Sequence, residues 1–323
     1  MLAPDYADVQ AAAARLTGIT RPLGVITGDH DLVPGAVVSL GLEFMQHTGS
    51  FKARGAVNLL GALREARRVP PAGIVASTGR NADLGFAWAA AWFEIPVTVF
   101  LADTARADTV ARLHGYGAEV RLGGATQAEA AGFAREFAAR TGALDAYTCD
   151  AVLSAAGAGT ILLDFAAAVP DLDTVVVAVG AGGMFSGIAA AADHLGIRVV
   201  GAEPVGSQAL HAAVRADSVQ NVAIDSVAAD SLGAVRICPA ALAWARAADV
   251  VSVVVDDASI VDTRRLLWQD YRVVVEHGAA TGLAALRAGA YRARPGERLG
   301  IVLCGANSDP GDLTGGATSR ACG

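Results

Sequence analysis

Short runs of β-branched and aliphatic residues recur along this chain, each followed by a helix-length segment. No other feature narrows the fold as much. "GIVAST" (73–78), "VTVFL" (97–101) and "AEVRL" (118–122) form one set, separated by helix-like segments near 81–93, 105–114 and 126–141. "TVVVAVG" (174–180), "RVVGAE" (198–203), "VVSVVVDD" (250–257) and "GIVLCG" (300–305) form a second, with helix-like segments near 183–195, 258–270 and 278–288. Runs that are apolar throughout, with no alternation, fit strands covered on both faces, and such strands occur in parallel sheets flanked by helices. The expectation is an α/β protein of two lobes. Two prolines in "RRVPPAG" (67–73) mark the one soft boundary, just before the first set. Residues 74–147 are therefore predicted as a small lobe inserted into a large one made of 1–73 and 148–323.

Composition agrees with a packed enzyme-sized chain. Its 323 residues are 53% hydrophobic and 18% charged, which excludes a disordered polymer. The net charge of −7 comes with no basic stripe, so nucleic acid is not an expected partner. Apolar runs such as "FAWAAAWF" (86–93) are too short to span a bilayer, so no membrane partner is expected either. The start, "MLAPDYADVQ", lacks the basic region of a secretory signal. Cys149, Cys238, Cys304 and Cys322 have neither metal-type spacing nor the pattern of a disulfide framework, and a reducing cytoplasm is the expected setting.

One lysine stands out. Lys52 is the only lysine in the chain; the other 24 basic side chains are arginine. A bias toward arginine explains the 24 and leaves the exception. An amine forms a Schiff base with an aldehyde, which a guanidinium cannot usefully do. Lys52 follows the strand-like run "AVVSLGLEFM" (36–45) and opens the helix-like run "FKARGAVNLLGALREA". Thr48, Gly49 and Ser50 supply a turn and a candidate N-cap before it. An ordinary surface lysine is the competing reading.

The run "VVVAVGAGGMFSG" reads as strand, glycine turn, helix. Backbone N–H groups at a helix start form an anion site, and missing side chains let a phosphate approach. A dinucleotide fingerprint, G-x-G-x-x-G, competes. Gly180 and Gly182 fit it, position 185 is phenylalanine, and Glu203 ends the next strand where a ribose-binding acid would lie. A tight turn without a ligand is the third reading.

Together these segments resemble the fold type II pyridoxal-phosphate enzymes, in particular the serine/threonine dehydratase group. "HTGSFKARGA" is similar to that group's lysine motif, "STGRNADLGFAWAA" (77–90) to its asparagine loop and "VGAGGMFSGIA" (179–189) to its phosphate loop. "GAEP" (201–204), "VVEHGA" (274–279) and "LCGAN" (303–307) follow in the same order. The resemblance implies a two-domain fold of the tryptophan synthase β type, with pyridoxal phosphate as cofactor and a homodimer as assembly. It implies that Lys52, preceded by Phe51 at the ring, carries the cofactor and serves as general base. Gly180, Ala181, Gly182, Gly183 and Met184 would hold the phosphate. The Asn81 amide would bond the ring 3′-oxygen, Glu276 would line the ring and Cys304 would face the ring nitrogen. Substrate would meet Ser50, Thr78, Gly79, Asn81 and Ala82, with its carboxylate at the helix start that follows the loop.

Three departures bear on function. Arg80 and Asp83 replace small residues beside the asparagine, either as a surface pair or as a change in substrate preference. Relatives with a divalent cation pair a glutamate, here Glu203, with a second acid six residues later; here that position is Ala209, which argues against such a site. A monovalent cation held mainly by carbonyls is still compatible with the resemblance. Racemases of the group place a serine two residues before the asparagine as second proton donor; counted directly that residue is Gly79, and with a one-residue slip at Arg80 it is Thr78, a slip that the ungapped match of "NADLGFAWAA" argues against. A neutral thiol at the ring nitrogen also suits elimination, because a departing group carries the charge away. The expected activity is dehydration of a β-hydroxy amino acid such as L-serine or L-threonine to a 2-oxo acid and ammonia. Racemisation or β-replacement on the same scaffold, or a non-catalytic nucleotide-binding relative, are the alternatives.

Overall fold

The computed structural model describes residues 3–79, 81–146 and 151–314. Its strands are β1 Val25–Thr27, β2 Val37–Gly41, β3 Ile74–Ala76, β4 Val97–Leu101, β5 Glu119–Leu122, β6 Leu144–Asp145, β7 Thr174–Ala178, β8 Arg198–Pro204, β9 Val250–Val255 and β10 Arg298–Val302. The helices are α1 Tyr6–Leu16, α2 Lys52–Glu65, α3 Asn81–Trp92, α4 Ala107–Gly115, α5 Gln127–Thr141, α6 Ala151–Ala168 and α7 Gly183–Leu195. They continue with α8 Ala209–Ala216, α9 Ala229–Leu232, α10 Pro239–Ala247, α11 Asp257–Tyr271, α12 His277–Arg287 and α13 Gly311–Thr314.

Two sheets form, one for each predicted set of runs. The larger has the order β1-β2-β10-β7-β8-β9 and the smaller β5-β4-β3-β6. Among the strands of the described residues only the β1–β2 pair is antiparallel; the other strand pairings are parallel. Parallel strands end on the same side of their sheet, where open α/β sheets bind ligands. In the larger sheet β2, β10 and β7 are neighbours, so the segments carrying Lys52, Cys304 and Gly180–Met184 emerge side by side. β3 delivers the asparagine loop from the smaller sheet.

The lysine helix joins the two halves. α2 lies within the predicted large-lobe sequence, yet Val57, Leu59, Leu60 and Leu63 pack with Ile74, Val97, Val99 and Leu101 of the smaller sheet. Its other anchor is Arg54, which is buried and grips Glu43 through Nε (2.7 Å) and Nη2 (3.0 Å). Arg54 also donates to Asp164 of α6 at 2.8 Å. A two-pronged arginine–carboxylate contact is geometrically specific as well as strong, so the start of α2 is held firmly.

Helix α6 corrects the expectation that every apolar run is too short to cross a bilayer: its 18 residues are long and apolar enough. Ala155, Ala156, Ile161, Leu162 and Phe165 are buried against neighbouring helices and strands, and its lone acid Asp164 is paired with Arg54. Being apolar all round, this helix carries no 3.6-residue stripe for a sequence reading to find.

Candidate active site

Lys52 begins α2 at a point pinned to the neighbouring strand. The Phe51 N–H donates to the Cys304 carbonyl (3.0 Å), the Ala306 N–H donates to the Gly49 carbonyl (2.9 Å), and Ser50 makes a bridge with Gly305. Gly49 has φ +73°, and a Cβ there would lie 2.6 Å from the Asn307 Oδ1 atom, so the turn requires glycine twice over. The Lys52 ammonium lies 4.7 Å from the centroid of the Phe51 ring. Ser50 is not the cap that its position suggested: Phe51 is the N-cap, with no side-chain cap bond. The Ser50 and Thr48 hydroxyls are instead buried with no hydrogen-bond partner. An unpaired buried hydroxyl is unfavourable by ~1–3 kcal/mol, which makes these two atoms candidate contacts for a polar ligand.

Asn81, Glu276 and Asn307 converge beside this turn. Asn81 begins α3, and its Nδ2 donates to Glu276 Oε1 at 2.8 Å. Its Oδ1 accepts from Asn307 Nδ2 at 2.7 Å. Glu276 precedes α12 without capping it by its side chain; the carboxylate also accepts from the Asn307 N–H at 2.9 Å. Burial pushes the Glu276 carboxyl above the usual range, opposed by the hydrogen bonds from Asn81 and Asn307 and by the charge of Lys52. Cys304 is buried, and burial followed by the nearby Glu276 charge raises its thiol to about 12. It is therefore neutral at any physiological pH. Sequence reasoning passed over Asn307, although the quoted "LCGAN" contains it; its role depends on a fold contact that no local pattern announces.

The rest of the asparagine loop departs from expectation. Asp83 is fully buried. Its carboxylate accepts from the Thr78 N–H at 2.9 and 3.0 Å and from the Gly79 N–H at 2.6 Å. It is thus not half of a surface pair, and the backbone amides of Thr78 and Gly79, two expected substrate contacts, are bonded to this internal carboxylate. Ala82 is buried in the first turn of α3. Arg80 lies outside the described residues, as do Cys149 and Cys322.

Behind β7 the glycine loop turns into α7. Gly182 has φ +89°, and a Cβ would sit 2.6 Å from Ala241 Cβ and 2.7 Å from Ile237 Cδ1. A Cβ at Gly183 would meet nothing within 4 Å, leaving open space at the helix start. First-turn N–H groups of a helix lack intrahelical acceptors, so those of Gly183 and Met184 face the open space with the geometry of an anion site. The Met184 side chain itself packs into the large core. Gly180 abuts Leu232 of α9. Asp230 and Ser231, also from α9, line a cleft of about 620 Å³ together with Asn81, Glu276, His277 and Asn307.

Glu203 takes no part in this site. It is buried at the end of β8, and its two oxygens accept from the Leu210 and His211 N–H groups (2.7 and 2.8 Å), capping α8 from outside the helix. Burial raises its carboxyl to about 7. The fold thus uses Glu203 to cap α8, a role that calls for neither a ribose nor a cation.

The parts fit pyridoxal phosphate: a lysine at the start of α2, buried hydroxyls at Thr48 and Ser50 just before it, open space at the start of α7 for a phosphate, and a neutral thiol just beyond the end of β10. A family model described as pyridoxal-phosphate dependent enzyme matches residues 31–305. Phenylserine dehydratase of Ralstonia pickettii is 31% identical over 309 residues, covering 95% of this chain and 94% of the relative. L-threo-3-hydroxyaspartate ammonia-lyase of a Pseudomonas species is 32% identical over 310 residues, covering 94% and 96%. Among solved structures, maize serine racemase superposes with a TM-score of 0.89 at 27% identity, covering 97% of this chain and 96% of that one.

Proposed function

The chain belongs to the family of pyridoxal-phosphate-dependent enzymes, and within it we propose an ammonia-lyase that removes water from a β-hydroxy amino acid. The observation that carries this reading is the pairing of the sole lysine, at the start of α2, with a neutral buried thiol on the adjoining strand end. Pyridoxal phosphate, when bound, supplies an electron-withdrawing ring that acidifies the substrate Cα–H bond. The Lys52 amine is the group that would hold the cofactor aldehyde, and as a free amine it would be the base for the Cα proton. The amides of Gly183 and Met184 would hold the cofactor phosphate, and Asn81, tethered to Glu276, would contact its ring. Cys304, staying protonated, would offer a neutral partner and no strong acid to the cofactor ring nitrogen that the resemblance places there, which would favour loss of the β-hydroxyl over reprotonation at Cα. The remaining enamine takes up water and releases a 2-oxo acid and ammonia, so the overall change is loss of ammonia.

Both relatives quoted as dehydratase and ammonia-lyase support this reading by name. The maize likeness keeps racemisation as the competing outcome. Gly79, two residues before Asn81 and so the position of the second proton donor that the resemblance implies, has no side chain, and its N–H is engaged by Asp83; with Arg80 counted as an insertion, Thr78 takes that position, and the D₂O test separates the two. The test is incubation of the holoenzyme in D₂O with L-serine, L-threonine, phenylserine and 3-hydroxyaspartate, with 2-oxo acid and chiral amino acid assays. Formation of 2-oxo acid with little D-isomer is expected; D-isomer formed as fast as 2-oxo acid would overturn the assignment. The proposal includes a small lobe of residues 74–147, supported by the confinement of β3–β6 to that stretch. It also includes a cytoplasmic homodimer, supported by the family resemblance and checked by sedimentation velocity.

A further inference from the structure

Arg112 belongs to α4, beside the smaller sheet, yet it reaches the opposite side of the site. Its Nη1 donates to Asn307 Oδ1 at 2.6 Å, and its Nη2 donates to the Thr48 carbonyl at 2.9 Å. The next bonds follow in one direction. Asn307 Nδ2 donates to the Thr48 carbonyl (2.8 Å) and to Asn81 Oδ1 (2.7 Å), and Asn81 Nδ2 donates to Glu276 Oε1 (2.8 Å). An asparagine has a donor end and an acceptor end of nearly equal shape, so its partners decide which way it faces. Arginine can only donate, and an ionised carboxylate can only accept. A chain of two amides between such ends has one satisfied orientation. With either amide reversed, oxygen would face oxygen or nitrogen would face nitrogen.

We propose that Arg112 is a positioning residue: it is the donor-only end of the relay Arg112–Asn307–Asn81–Glu276, and it fixes the Asn81 amide with its nitrogen toward Glu276 and the cofactor cleft. The inference rests on the assignment of Asn81 as a cofactor contact. It accounts for a half-buried arginine bonded to an asparagine and a carbonyl where a carboxylate partner would be usual. It also accounts for glycine at position 49, where a Cβ would displace the Asn307 oxygen that Arg112 holds. Since α4 packs with α3 and Asn307 follows β10, the same two bonds tie the two sheets together at the site.

The test is a double-mutant cycle read by cofactor binding. Cofactor-stripped wild type, Arg112→Met, Arg112→Lys, Asn81→Ala and the Arg112→Met/Asn81→Ala pair are titrated with pyridoxal phosphate, following the visible absorbance band. Arg112→Met is expected to weaken binding roughly tenfold, as for loss of a charge-assisted hydrogen bond. Arg112→Lys, which keeps a donor-only cation, should recover most of that loss. The pair should bind no more weakly than Asn81→Ala alone, because Arg112 acts through Asn81. A residue that only stabilised the fold would give additive losses and no rescue. Wild-type affinity in Arg112→Met together with weakened Asn81→Ala would overturn the role of Arg112, as would additive losses in the pair. Wild-type affinity in Asn81→Ala would instead overturn the Asn81 assignment, and the inference with it. Should Arg112→Met not fold, Arg112→Gln carries the comparison, since an amide there can present either end and is expected to lose less than Met and more than Lys.

Discussion

The glycine loop and the asparagine loop both serve the site, but they are held in different ways. The glycine loop at 180–184 is shaped by its own backbone: a left-handed Gly182, an open Gly183 and the free amides at the start of α7. The asparagine loop is held by side chains. Asp83 engages the Thr78 and Gly79 amides from within the segment, and Asn307 and Glu276 hold Asn81 from the far sheet. The glycine loop takes a distant backbone bond, from the Cys238 N–H to the Ala181 carbonyl (2.9 Å), while its path is set by its glycines. The asparagine loop depends on side chains of the larger sheet to align Asn81. This difference predicts that substitutions in the first loop act mainly on the cofactor, and that those in the second act on stability and alignment together.

The largest expected effect lies outside both loops and tests what they serve. Lys52→Arg should lower turnover by ~10³-fold or more, the contribution of a lost general base and covalent anchor. Mass spectrometry of borohydride-reduced wild type should place the cofactor on the peptide containing Lys52 and on no other. Label found only at the N-terminal amine would break the reading.

The glycine loop comes next. Gly183→Asp puts a carboxylate into open space beside the phosphate cradle, and cofactor affinity should fall roughly ten- to a hundredfold through charge repulsion. The melting temperature of the cofactor-free protein should stay unchanged. Gly182→Ala should do the reverse, lowering stability by ~2 kcal/mol or more through the left-handed backbone and the contacts with Ile237 and Ala241. Equal effects of the two variants on affinity would erase the distinction between cradle and support.

For the asparagine loop, Asp83→Asn replaces a charged acceptor of the Thr78 and Gly79 amides by a neutral one. A loss of ~1–2 kcal/mol in urea-unfolding free energy is expected without cofactor. Unchanged stability would show that this loop, like the other, supports itself.

The smallest effect concerns Cys304. Cys304→Ser should keep turnover within about threefold, because serine is an equally neutral partner. Its signature is alkaline. Burial raises the thiol from 9.0 to about 12, so between those values the folded protein keeps a proton that the unfolded chain releases. The stability from this group is therefore full below pH 9 and declines as pH rises toward 12. Cys304→Ser should match wild type in urea midpoint below that window and lose less within it. Parallel curves would mean that the thiol is not held neutral by its site.

Much of this protein is legible from short stretches. The lone Lys52 at a strand-to-helix junction, the glycine turn after β7 and the alternation of apolar strands with helices each depend on neighbours a few residues away. Backbone propensity and periodicity act at that range, so these features declare themselves in the sequence. Other features depended on the assembled chain. Asn81 meets Glu276 195 residues later and Asn307 226 residues later. Glu203 turns from a candidate ligand into a helix cap only once α8 lies against the end of β8. Asp83 reads from the sequence either as half of a surface pair or as a change in substrate preference; its full burial and its bonds to two amides show that it holds the loop. A polar side chain has several acceptable partners of similar strength, and its residue type does not say which one it will find. Tertiary packing makes that choice, by bringing one partner within hydrogen-bond distance and removing the water that would otherwise compete for it.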